Sequence, residues 1–291
     1  MIAPHSTRAR RRPKAPWTTA LLALSALLMG AALSVAQAEP SSVTLPGVTV
    51  RLFNGGGTAD TRDVGLELQL QTHWKTYWRY PGDSGVPPML AFEQSENVAD
   101  VAVGWPAPRR FADGAGGFSI GYKGTVVLPL TVTLKDPSQP AKLVLGLDFA
   151  VCEALCMPAT ADLTLDLAAE PDPGAAARIA AARARIPEPQ AVGVAGTPQI
   201  VSARLDTGAT PPQLVVDARD VTPKADLFAE GPDHHWALPL PQKVALADGL
   251  VRFTLPLEGV PPDAALPGAV LTLTLVDMPR SVTAPWTIPA P

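Results

Sequence analysis

Residues 142–167 read KLVLGLDFAVCEALCMPATADLTLDL. Leu143, Leu145, Leu147 and Phe149 occupy alternate positions, so they share one face of a strand that runs directly into Val151 and Cys152. Leu163, Leu165 and Leu167 repeat the pattern after Cys156. Two half-buried strands separated by so short a connection predict an antiparallel pair. The same alternation recurs in GLELQLQTHW (65–74), TVVLPLTVTL (125–134), PQLVVDAR (212–219), VRFTLPLEG (251–259) and VLTLTLVD (270–277). The 33 Pro and 23 Gly of the chain disfavour long helices and punctuate these runs into short strands. One stretch departs from the pattern: AAEPDPGAAARIAAARARIPEPQ (168–190) is an Ala/Arg run bracketed by Pro171, Pro173, Pro187 and Pro189, and it predicts a helix. The expectation is an all-β chain of two β-sandwich domains, 39–169 and 191–291, joined by a short helical linker at 170–190.

The N-terminus reads as an export signal over residues 1–38. Arg8, Arg10, Arg11, Arg12 and Lys14 form a basic region, residues 20–35 are apolar, and Ala36-Gln37-Ala38 offers a cleavage site, so the mature chain is expected to begin at Glu39. The apolar run is shorter than the ~20 residues needed to span a bilayer. The expected location is the periplasm, an oxidising space in which disulfides persist. Without residues 1–38 the chain carries 18 Lys+Arg against 27 Asp+Glu, a formal charge of −9. Such a balance argues against nucleic acid and anionic lipid as partners. No later segment is apolar enough to cross a membrane after cleavage.

Cys152 and Cys156 are the only cysteines of the chain. A structural bridge, a metal site and a redox-active pair all fit two cysteines at this spacing. A bridge across so short a loop removes little entropy from the unfolded chain, and a sandwich of this size has core enough without a staple. Exposed or tight disulfides are also the readily exchanged kind. The metal alternative is a copper site, with Met157 beside the pair and His234-His235 elsewhere, since thiolate and thioether suit Cu(I) and imidazole completes many such sites. Those histidines fall in the second expected sandwich. A third alternative is a non-catalytic interaction module with a structural disulfide.

HWKTYWRYPGDSGVPP (73–88), GYKGTVVLPLTV (121–132), DFAVCEALCMPATADLTL (148–165) and DLFAEGPDHHWALPLPQ (226–242) resemble the N-terminal periplasmic region of the DsbD and ScsB type of thiol:disulfide interchange proteins. The resemblance implies an immunoglobulin-like domain in which Cys152 and Cys156 are the catalytic pair, cycling between dithiol and disulfide without a cofactor or metal. It implies a membrane-embedded thiol reductase as electron donor and periplasmic thioredoxin-like proteins as acceptors. Members that complete the relay also carry a transmembrane domain and a thioredoxin-like domain; this sequence contains neither, so a separate donor is expected. The resemblance further implies an aromatic lid over the cysteines. RFADGAGGFSIGY (110–122) stands at the matching distance, making Phe118, or else Phe111, the lid, with Gly114, Gly116 and Gly117 allowing it to open. Tyr77 and Tyr80 are candidates for the border of the site. Asp83 and Ser84 read as turn residues.

Overall fold

The computed structural model describes residues 41–82, 85–112 and 117–290. The expected signal peptide, Asp83, Ser84, Gly114 and Gly116 lie outside the described residues. Residues 39–291 form one compact unit. Its first eleven strands are β1 (Ser42–Leu45), β2 (Val48–Gly57), β3 (Thr61–Leu70), β4 (Lys75–Gly82), β5 (Met89–Ala91), β6 (Val98–Val103), β7 (Arg109–Ala112), β8 (Phe118–Lys123), β9 (Thr125–Leu134), β10 (Lys142–Cys152) and β11 (Cys156–Asp166). They make two sheets, ordered β1-β2-β3-β9-β6 and β11-β10-β4-β8-β7, with β5 added alongside β10. The facing sides are the alternating apolar sets read from the sequence. Val64, Leu66 and Leu68 of β3 and Leu128, Leu130 and Val132 of β9 meet Leu143, Leu145 and Leu147 of β10 in one core around the fully buried Trp78.

The Ala/Arg run forms α1 (Ala175–Arg183). It is a docked element rather than a free linker. Its apolar stripe of Ala175, Ile179 and Ala182 is buried, with Ala175 and Ile179 against Phe53 on the outer side of the first sheet. Gly65 makes that seat possible: a Cβ there would fall 2.1 Å from the Phe53 ring, so the bare backbone lets the ring lie flat across β3. Arg183 then grips Asp63 with two hydrogen bonds of 2.6 and 2.9 Å, and Arg178 pairs with Glu67.

The second sandwich follows. Its strands are β12 (Glu188–Pro189), β13 (Gln199–Asp206), β14 (Gln213–Arg219), β15 (Asp226–Glu230), β16 (Gln242–Ala245), β17 (Val251–Pro256), β18 (Val270–Asp277) and β19 (Arg280–Thr287), in sheets β12-β19-β18-β15 and β13-β14-β17-β16. The chain is thus all-β apart from α1 and one short 3₁₀ turn among the described residues, with two immunoglobulin-like sandwiches. The strand β15 joins them through its period of two. Leu227 and Ala229 point into the second core. Asp226, Phe228 and Glu230 point the other way. Phe228 enters the first core 5.9 Å from Trp78, centroid to centroid, while Arg110 and Arg79 take Asp226 and Glu230 in bidentate pairs of 2.6–2.9 Å. Burial at this contact outweighs the attraction of Arg110 and raises the pKa of Asp226 above its ordinary value.

Candidate redox site

β10 and β11 pair without interruption from Lys142↔Asp166 to Cys152↔Cys156, so the hairpin delivers the two cysteines directly opposite each other. They form a disulfide with Cα atoms 4.1 Å apart, and only Glu153, Ala154 and Leu155 cross between them. The core positions of β10 are odd-numbered, 143 to 151, so Cys152 falls on the opposite, outer face with Ala150 and Asp148. Lys75 stands across from Cys152, and Lys123 across from Lys75, which builds one row of the sheet at the sulfurs. Tyr77 lies two residues along β4 from Lys75 and shares that face.

Tyr77 is the residue that meets the disulfide. Its hydroxyl oxygen lies 3.0 Å from Cys156 Sγ and 3.1 Å from Cys152 Sγ. A disulfide has no S–H, so the phenol donates and sulfur accepts. The ring is held on both sides: Ala150 and Cys152 pack with it, and Gly85 comes so close that a Cβ there would lie 2.9 Å from Tyr77 Cδ1. The neighbouring Thr76 hydroxyl donates to the Ala150 carbonyl at 2.8 Å and ties β4 to β10. Lys75 is buried too, and its ammonium donates to the Ser119 hydroxyl at 3.2 Å. The two sulfurs are unequal. Cys152 is 1% exposed, whereas Cys156 is an exposed residue at the surface end of the hairpin.

The other sequence candidates fall elsewhere. Tyr80 donates its hydroxyl to the Leu238 carbonyl and packs against both cores, at the contact between the sandwiches. Phe118 lies 5.4 Å beneath the Arg110 guanidinium and lines a cleft with Asp226, Leu240 and Pro241. It precedes Lys123 by five residues, about 16 Å along β8 from the cysteine row. Phe111 sits beneath the Lys123 ammonium at 4.7 Å. Glutathione reduction of Phe118→Ala and Phe111→Ala is therefore expected to match wild type in stopped flow, since Tyr77 already packs on the disulfide. A several-fold acceleration in either variant would return the lid to that residue. The imidazoles of His234 and His235 are exposed and 4.0 Å apart beside Trp236 of the second sandwich, and Met157, across from Val151, packs on the first core. Among the described residues, no group of three or more His, Cys, Asp or Glu side chains is placed to hold a metal ion. Lys75 was missed by reading the sequence, although its spacing from Tyr77 already puts the two on one face.

Residues 45–168 match the family model described as thiol:disulfide interchange protein DsbD, N-terminal. That stretch, less than half of the chain, is similar to the N-terminal domain of that family. Its Cys152–Cys156 disulfide lies within the matched residues. The whole fold is similar to the crystal structure of the N-terminal periplasmic domain of ScsB from Proteus mirabilis, with a TM-score of 0.68 and 24% identity over 87% of this chain and 99% of that one. That likeness is one of fold, and it reaches well past residue 168 into the second sandwich. No curated protein matches the chain at a significant level. No helix among the described residues is long and apolar enough to cross a membrane.

Proposed function

We propose that this protein works in the periplasm as a thiol:disulfide interchange protein, taking electrons from a membrane-embedded thiol reductase and passing them to thioredoxin-like proteins through Cys152 and Cys156. The observation that carries the reading is the asymmetry of the pair, one sulfur buried against a phenol and the other presented at a hairpin end. The location rests on the export-like N-terminus and on the periplasmic domain to which the fold is similar.

The steps follow from that asymmetry. A donor thiolate attacks Cys156 Sγ, a donor–Cys156 bond forms, the Cys152–Cys156 bond breaks, and Cys152 leaves as a thiolate. The Tyr77 hydroxyl is already aimed at Cys152 Sγ, and a charge-assisted hydrogen bond to the departing sulfur stabilises it as charge develops. The donor's second thiolate then attacks its own sulfur in the mixed disulfide and releases Cys156. Two electrons and two protons have entered, and the donor is left as a disulfide. Reduced Cys156 repeats the chemistry on an acceptor disulfide, with Cys152 resolving the intermediate.

The test is thiol counting on the purified protein before and after incubation with reduced thioredoxin, with circular dichroism alongside. Two thiols are expected to appear while the β-sheet spectrum is unchanged. A bridge that opens only in denaturant would make it a structural staple and remove the proposal.

A further inference from the structure

Leu155 is 80% exposed, the highest exposure among the exposed large hydrophobic residues of the described chain. It is the last of the three residues that cross between the cysteines, and Glu153 and Ala154 beside it are exposed as well. The crossing is braced by its own backbone, the Glu153 N–H donating to the Leu155 carbonyl at 3.3 Å, so this side chain packs no core. Elsewhere in the hairpin the apolar residues obey the alternation closely: Leu143, Leu145, Leu147 and Leu163 are all at most 1% exposed. The exposed side chain therefore stands one residue before Cys156, at the surface end of the disulfide.

We infer that Leu155 is a specificity-determining contact, the apolar anchor onto which a thiol-bearing protein partner docks when its sulfur bonds to Cys156. The inference rests on the interchange function proposed above. The occupant follows from covalent geometry. A disulfide holds its two Cα atoms roughly 4.4–6.8 Å apart, so any protein that forms one with Cys156 brings its backbone against the residue immediately before it. Leu155 is thereby placed within reach of the partner's side chains around its cysteine. A partner whose reactive cysteine is rimmed by apolar side chains gains from removing Leu155 from water. A small hydrophilic thiol such as glutathione covers little of it and gains little. The exposed leucine thus favours apolar-rimmed protein thiols over the small-thiol pool without a lid.

Stopped-flow reduction of the full protein by two probes, reduced thioredoxin and glutathione, tests this with wild type, Leu155→Ser and Leu155→Met. Because the side chain is exposed, all three are expected to fold alike by circular dichroism. Leu155→Ser is expected to lower the second-order rate constant with thioredoxin by about tenfold, the effect of losing most of one leucine's burial. Its glutathione rate stays at the wild-type value, and Leu155→Met recovers the thioredoxin rate. Equal thioredoxin rates in wild type and Leu155→Ser would overturn the inference and leave the interchange function standing. Parallel losses with both probes would also overturn it, because they would report a distorted loop rather than a lost contact. A wild type that glutathione reduces and thioredoxin does not would remove the interchange reading itself, and the docking contact with it.

Discussion

Cys152→Ser is expected to accumulate a stable mixed disulfide with a thioredoxin-like partner, whereas Cys156→Ser accumulates at least about tenfold less. Trapping depends on which sulfur can be reached and on whether a second thiol is there to release the partner. In Cys152→Ser the exposed Cys156 still bonds to the partner and nothing within the protein resolves the bond. In Cys156→Ser the surviving cysteine is the residue that is 1% exposed, packed with Tyr77 and Ala150, and an approaching protein cannot align with it. The check is non-reducing electrophoresis of each reduced variant mixed with a thioredoxin that keeps only its attacking cysteine, activated as a mixed disulfide with a small thiol so that no second thiol can release the partner, with mass spectrometry to assign the bonded residue. Equal trapping by the two variants would mean that the hairpin opens enough to expose both sulfurs, and the assigned order of events would fail. Either substitution alone abolishes turnover, since a two-electron carrier needs both thiols.

The second large effect belongs to Tyr77→Phe. The ring and its seat against Gly85 are preserved, and only the oxygen near both sulfurs is lost. A hydrogen bond to a charged group contributes roughly 1.5–3 kcal/mol, which corresponds to a rate loss of about tenfold to a hundredfold if it is realised when Cys152 departs as a thiolate. Reduction by thioredoxin and by glutathione should slow together, because both expel the same leaving group. That shared loss separates Tyr77 from Leu155, whose effect depends on the attacking partner. A second readout is the pH titration of thiolate absorbance in the reduced protein: loss of the donor raises the pKa of the thiol it served. Unchanged rates and an unchanged titration would reduce Tyr77 to packing.

Much of this site can be traced to alternation along single strands. The odd-numbered leucines of β10 fix which way Cys152 faces, and the same rule separates Tyr77 from Trp78 and Tyr80, so that one tyrosine reaches the sulfurs while the other turns toward the second sandwich. What the alternation does not reveal is cover. Cys152 lies on the outer face of its sheet and is nonetheless buried, because Tyr77 and Ala150 close over it, with Gly85 in turn against the Tyr77 ring. That closure depends on residues brought together from separate strands, which no local pattern encodes. The surroundings of Phe118 were hidden for a related reason. A glycine-rich stretch at the expected distance suggested a lid, but the aromatic ring finds the Arg110 guanidinium and a cleft beside the second sandwich, a neighbour more than a hundred residues away in sequence. The helical run was legible as a helix. Its role as a cover for the first sheet was not, since this depended on a Phe53 ring lying over Gly65.

Phe228 carries a consequence for how such proteins can be rearranged. It lies beyond the end of the residues that match the DsbD-type family and yet sits in the core built by those residues, beside Trp78. A recombination event that moved residues 45–168 alone into another chain would leave a vacancy where an aromatic ring belongs and strip Arg79 and Arg110 of their carboxylates. The unit that can be inherited or transplanted intact is therefore larger than the segment that carries the chemistry: the redox sandwich travels with its companion, or with a replacement that supplies an equivalent plug.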